Sequence, residues 1–239
     1  MCCRFYSDET TQKDIVGLVD GYDKGIDWLR EGDVHPGDKA TVIIKGSNGL
    51  FAGDMRFGML KPATKKASGA GAAGAALSVP EKAPALLINA RAESVREKKS
   101  FAESVAERRC VIPAKKFYEW DRDKNKAEFS SLQEKSVYLA GIYRFEDPAV
   151  PERSAKTDGC ADTPESMSDD SFTERNGCFV ILTTAANGSM KPVHDRMPLT
   201  LRRDQIEPWL TDAEKTDEIL SQTPEELSVY REFEQLSLF

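Results

Sequence analysis

The sequence predicts an α+β fold with a mainly antiparallel β core and short helices. Two observations carry this. Apolar, β-rich runs recur along the chain, as in KATVIIK (39–45), ALLINA (85–90), VYLAGIYRF (137–145) and CFVILTT (178–184). Most links between these runs lack helical periodicity, which favours antiparallel pairing over βαβ crossovers. The 239 residues are 40% hydrophobic and 31% charged, enough for one large domain or two small ones with a real core.

From the N-terminus, 8–20 sets Ile15, Val16, Leu18 and Val19 among polar residues and predicts an amphipathic helix. Residues 39–45 are β-branched and predict a strand; Ser47-Asn48-Gly49 marks a turn, and 50–60 returns as a second strand. Glycine and alanine fill 69–76, so a flexible loop is expected at about 62–84; it lacks the G-x-x-x-x-G-K-[ST] of a phosphate cradle. A short buried strand is expected at 85–90, a helix at 95–108, and strands at 110–112 and 117–121 on either side of Pro113. Residues 137–145, 178–184 and 199–201 predict further strands, and 203–210 and 211–220 predict helices. Thr211 with Glu214, and Thr223 with Glu226, fit capping boxes. Leu236 and Phe239 are expected to pack onto the body of the protein.

Charge narrows the function classes. The net charge of -7 argues against a surface that coats nucleic acid broadly, while leaving room for a local basic groove. From Glu146 to Glu174 nine acidic residues face only Arg153 and Lys156, so a solvated acidic insertion is expected at about 146–176. No run of 18 apolar residues predicts a membrane helix, and the first ten residues lack an apolar signal core. With five cysteines, an odd number, the reading is a protein of the reducing cytoplasm with free thiols and no membrane partner. The two histidines, His35 and His194, and the absence of Cys-x-x-Cys give no metal-ligand spacing, so neither metal nor cofactor is expected.

Cys2 carries the most chemistry. A cysteine at position 2 is small enough for Met1 to be removed ahead of it, which leaves an α-amine and a thiol on adjacent carbons. Their reference pKa values are about 7.7–8.0 and about 8.5, so both act as nucleophiles near neutral pH. A 1,2-aminothiol condenses with an aldehyde, imine first and thiol closure second, to a five-membered thiazolidine. The plain alternative is a structural cysteine near a terminus.

Polar residues also stand at strand ends in three other segments: Asn89-Ala90-Arg91-Ala92-Glu93, Phe117-Tyr118-Glu119-Trp120 and His194-Asp195-Arg196-Met197-Pro198. Singly, each reads as an edge carboxylate, a cap or a structural histidine. Together with Cys2-x-Arg4-Phe5, Arg109-Cys110-x-x-Pro113-Ala114, Ala140-Gly141-Ile142-Tyr143 and Thr183-Thr184-x-Ala186-Asn187, they run in order from residue 2 to about 201. In this the chain resembles the SOS-response-associated peptidase family, proteins that crosslink to abasic sites in single-stranded DNA.

The resemblance implies one domain over 1–239 with a barrel-like β core. It implies Cys2 as the crosslinking nucleophile, Asn89 as the holder of the Cys2 end or the opened sugar, Glu119 as general acid/base near the amine, and His194 as the group that helps open the deoxyribose and reverse the adduct. Arg4, Arg56, Arg91, Lys99 and Arg196 are implied as DNA-binding cations. Phe57, where a tryptophan is usual, is implied as a stacking aromatic. Cys3 stands where a glycine is usual, and strain follows if the backbone there needs a glycine conformation. The implied partner is single-stranded DNA with an abasic site, met by a monomer that is DNA-associated when engaged. Self-removal of Met1 can accompany this capture, and two alternatives stay open: a thiol peptidase or hydrolase built on Cys2, and a non-covalent single-strand-binding module.

Overall fold

The computed structural model describes residues 2–28, 30–61, 86–146 and 176–231. The expected Ala/Gly-rich loop, residues 147–175 of the expected acidic insertion, and the tail with Leu236 and Phe239 lie outside the described residues. In chain order the elements are β1 (Phe5–Ser7), α1 (Glu9–Val16), β2 (Gly21–Tyr22), β3 (Gly32–Val34), β4 (Lys39–Gly46), β5 (Gly49–Phe57), β6 (Met59–Leu60), β7 (Leu86–Leu87) and β8 (Asn89–Arg91). There follow α2 (Ala102–Glu107), β9 (Arg109–Ala114), β10 (Lys116–Trp120), β11 (Lys126–Ser131), β12 (Val137–Glu146), β13 (Asn176–Ala185), β14 (Arg196–Pro198), β15 (Thr200–Leu201), α3 (Ile206–Thr211), α4 (Ala213–Ser221) and β16 (Leu227–Arg231).

Five strands close into a barrel. β13, β12, β9, β4 and β5 pair antiparallel in that order, and β5 returns to β13 through a parallel pairing, Arg56 beside Cys178 and Phe57 beside Phe179. Alternate residues serve two cores. Val42, Ile44, Cys110, Ile112, Phe179 and Ile181 join one cluster; Ile43, Val111, Cys178, Val180 and Leu182 join the other, with Trp209 and Ile219 of the C-terminal helices. Both strand faces are therefore apolar, which is why these runs read as continuous rather than alternating.

A second, antiparallel sheet runs β16, β11, β10, β1, β3 and gives Phe5, Phe117 and Phe129 to the first cluster. Only β10 of this sheet was expected. β1, β3, β11 and β16 are three to six residues long and carry polar residues on their outer face, so they show little periodicity of their own.

Local chemistry corrects several expectations. The helix at 95–108 is only α2, preceded by a 3-10 turn at Ala92–Ser94, since Glu97-Lys98-Lys99-Ser100 offers no apolar face. The 85–90 strand is broken between β7 and β8. Pro113 lies inside β9 opposite Tyr138, at a position that donates no ladder bond. α4 is capped by Asp212, whose side chain accepts from Glu214 N at 2.8 Å, rather than by Thr211. Thr223 and Glu226 begin no helix; the chain there leads into β16, and Glu226 accepts from Gly188 N. Glu146 ends β12 and pairs with Asn176, so both ends of the acidic segment belong to the barrel.

Candidate active site around Cys2

The β1–β10 register builds the site. Phe5 faces Phe117 and Tyr6 faces Lys116, and the ladder continues as Tyr118 N donates to Arg4 O at 3.1 Å. This brings Glu119 and Trp120 abreast of the start of the chain. Cys2 is fully buried in the first core cluster, and its Sγ donates to Arg4 O at 3.6 Å. Burial pushes the Cys2 thiol far above its usual range, and the Glu119 charge adds to the push. Glu119 is itself 3% exposed, with one carboxylate oxygen 3.4 Å from Trp120 N.

Asn89 reaches the same place from the barrel. β8 lies parallel to β13 with Asn89 beside Ile181, and the Asn89 amide donates to Cys2 O at 2.9 Å. Its Oδ1 is buried with no hydrogen-bond partner among the described residues, an acceptor in reserve beside Cys2. Cys2, Asn89 and Glu119, far apart in sequence, thus converge.

His194 comes from the loop before β14. Its N–H donates to Met190 O at 3.0 Å, and Met190, Val193 and Met197 share the Cys2 cluster. Its Nδ1 accepts from Arg196 N at 2.9 Å. Asp195 Oδ1 is also 2.9 Å from Nδ1, a contact that turns favourable when the ring is a cation. The loop that carries it thus orients the ring.

The cations divide by what already occupies them. Arg91 and Lys99 are exposed. Arg4 is half-buried, 3.6 Å from Asp33 through Nη1, with its guanidinium 5.3 Å from the centroid of the Trp120 ring. Arg196 is tied as a fork to both oxygens of Glu93 and donates to Thr183 O at 2.7 Å. That pairing holds the Glu93 carboxyl below its usual range. Arg56 is ion-paired with Glu146, which Arg144 also holds at 3.0 Å.

Phe57 departs from its expected role: it is fully buried, stacked on Phe179 at 5.2 Å and tilted against Phe5. A ring with no face open to solvent offers no platform to a base. Cys3 carries no strain, because Lys124 is the one non-glycine with positive φ among the described residues. Asp33, Glu93 and Arg144 have no role in the sequence analysis; the ion pairs of Asp33 with Arg4 and of Glu93 with Arg196 join residues distant in the chain and leave no local signal.

Among the described residues no three His, Cys, Asp or Glu are grouped to hold a metal, and no helix is long and apolar enough to cross a membrane.

Comparison with known proteins adds to this geometry. The family model for SOS response associated peptidase (SRAP) matches residues 1–235. The abasic site processing protein YoqW of Bacillus subtilis (strain 168) is 30% identical over 196 residues, covering 77% of this chain and 70% of its own. YobE of the same organism, also called an abasic site processing protein, is 29% identical over 196 residues, 77% of this chain and 72% of its own. A crystal structure of a protein from Bordetella bronchiseptica shares the fold, with TM-score 0.65 and 18% identity over 97% of this chain and all of that one. A second, from Bacteroides thetaiotaomicron, has TM-score 0.65 and 17% identity over 96% and 91%.

Proposed function

The chain belongs to the SOS response associated peptidase family, and on that premise we propose that it processes abasic sites in DNA by capturing them covalently through Cys2. The printed names of YoqW and YobE support the substrate class. The observation that carries the reading is the convergence of the Asn89 amide and the Glu119 carboxylate on a buried Cys2.

The reaction needs the α-amine of Cys2, so Met1 leaves first. The abasic deoxyribose then opens: the C1′ hydroxyl gives up its proton to a base, the bond from C1′ to the ring oxygen breaks, the ring oxygen takes a proton, and C1′ becomes an aldehyde. The Cys2 amine adds to C1′, and water leaves to give an imine. The thiol adds across C=N, its sulfur to C1′ and its proton to nitrogen, and the thiazolidine is closed. Burial keeps the thiol protonated near neutral pH, which supports the amine-first order and calls for a base at the second step. Glu119 is the group beside it for that transfer and for the earlier proton movements. Asn89 holds the Cys2 main chain and has Oδ1 left for an amine N–H or a sugar hydroxyl. His194 serves the sugar oxygen from its loop as a proton donor or acceptor.

The substrate is read as single-stranded DNA, because an unpaired abasic site reaches a buried thiol without a duplex to open. The protein is taken to act as one domain and a monomer, in the cytoplasm and on DNA when engaged. Incubation of the mature protein with single-stranded DNA carrying one abasic site is expected to give a stoichiometric adduct that survives heat and detergent. Intact mass should show loss of Met1 from the protein and of one water on coupling. Turnover of a peptide without adduct would favour the hydrolase reading; reversible binding with equal yield from Cys2→Ala would favour the binding module.

A further inference from the structure

We infer that Trp120 is a positioning residue for Arg4, holding its guanidinium as an open phosphate fork next to Cys2; this rests on the proposed DNA substrate. Phosphate entering at Arg196 or Arg56 has to displace a carboxylate, Glu93 or Glu146. Arg4 is different. Its side-chain contact with Asp33 is a long 3.6 Å, and its Nε is buried without a hydrogen-bond partner among the described residues. Most of its donor edge is unspent.

Besides the Asp33 carboxylate, an aromatic face holds Arg4. The guanidinium carbon stands 5.3 Å from the centroid of the Trp120 ring. A cation–π contact with an indole restrains a guanidinium without using its N–H groups, which stay free for a phosphate. The same segment ties the fork to the nucleophile. Arg4 O accepts from Cys2 Sγ at 3.6 Å and from Tyr118 N at 3.1 Å, and Trp120 follows Glu119 on the strand that makes this contact. Fork, platform, carboxylate and thiol therefore share the paired ends of β1 and β10. A backbone phosphate on Arg4 would seat the neighbouring sugar beside Cys2.

Binding of an undamaged single-stranded oligothymidylate, measured by fluorescence anisotropy over a range of salt concentrations, tests this without any crosslink. Trp120→Leu is expected to weaken binding about fivefold, the scale of one partly desolvated cation–π contact. The slope of log affinity against log salt should fall by about 0.7, one single-strand phosphate, as it should for Arg4→Ala. In an Arg4→Ala background Trp120→Leu should cost nothing more, and Trp120→Phe should lie between wild type and Trp120→Leu. The inference is overturned if Trp120→Leu costs as much with Arg4 absent as with it present, or if its salt slope equals that of wild type. If Trp120→Leu does not fold, Trp120→Phe with and without Arg4 decides by the same criterion. Failure of abasic-site crosslinking by the wild type would sink the proposed reaction and leave these binding results to judge Trp120.

Discussion

Cys2 can be set against the barrel thiols Cys110 and Cys178. All three side chains are fully buried, and in all three burial is the first cause of a raised thiol pKa. By burial alone they are equally inert. Their surroundings differ. Cys110 faces Gly141 in the barrel wall, with Ile112 two residues along the same strand. Cys178 donates to Arg144 O at 3.6 Å, and the Glu146 carboxylate that also acts on its sulfur is already shared by Arg56, Arg144 and Leu60 N. Cys2 has an amide on its carbonyl and a buried carboxylate acting on its sulfur, at the position where the proposed reaction needs an α-amine. A nucleophile here is made by its neighbours, and burial by itself marks a packing residue.

The largest effect that tests this contrast is on the adduct. Cys2→Ala is expected to abolish the heat-stable product on a denaturing gel, whereas Cys110→Ala and Cys178→Ala should keep it. Loss of the adduct in either barrel variant, with the fold intact by circular dichroism, would erase the distinction.

The two carboxylates sharpen it. Glu119→Gln is expected to slow adduct formation about a hundredfold in single-turnover time courses, the scale of a lost general acid/base. Glu146→Gln takes a partner from two guanidinium groups and should cost about 1–3 kcal/mol in denaturant unfolding. If Glu146→Gln slowed capture as much as Glu119→Gln, the proximity of Glu119 to Cys2 would have no special meaning.

Alkaline pH gives a smaller, purely structural signal. The Cys178 thiol is pushed from 9.0 up to about 12. Between those values the unfolded chain gives up the proton and the folded one keeps it, so stability falls as pH rises through that window. Below 9 both states hold the proton, and the thiol contributes no pH dependence. Denaturant midpoints measured from pH 8 to 11 should decline less in Cys178→Ala than in wild type; parallel curves would show that this thiol is not held protonated by the fold.

The same contrast explains what the sequence made legible. The barrel strands were visible because both of their faces are apolar, as with Ile43 between Val42 and Ile44. The sheet that carries the site was mostly hidden. β1 is three residues long, and it exists because Phe5 and Tyr6 meet Phe117 and Lys116, a pairing over a hundred residues. Cys2, Asn89 and Glu119 stood out as chemistry-bearing types in a family-like order, and the structure brings these three together. Phe57 was misjudged because an aromatic beside an arginine reads alike on a surface and in a core. The occupation of Arg196 and Arg56 was invisible because Glu93 and Glu146 are tertiary partners.

The smallest effect concerns that occupation. Glu93 is half-exposed, so its pair with Arg196 is worth under about 1 kcal/mol despite the forked geometry. Arg196 holds the Glu93 carboxyl below its ordinary 4.5. The pair therefore contributes fully above that value, and its contribution fades as pH drops through the lowered folded value. Glu93→Gln should then differ from wild type in unfolding free energy by under about 1 kcal/mol at pH 7, and the difference should shrink toward pH 3. The substitution also frees the Arg196 fork, so affinity for single-stranded DNA should rise. Glu97→Gln, an exposed neighbour in sequence, removes the same charge without touching Arg196. A larger gain for Glu93→Gln than for Glu97→Gln would mean that Glu93 occupies a phosphate's place in the DNA-free protein; equal gains would reduce the effect to net charge and leave Arg196 as a brace between β13 and β14.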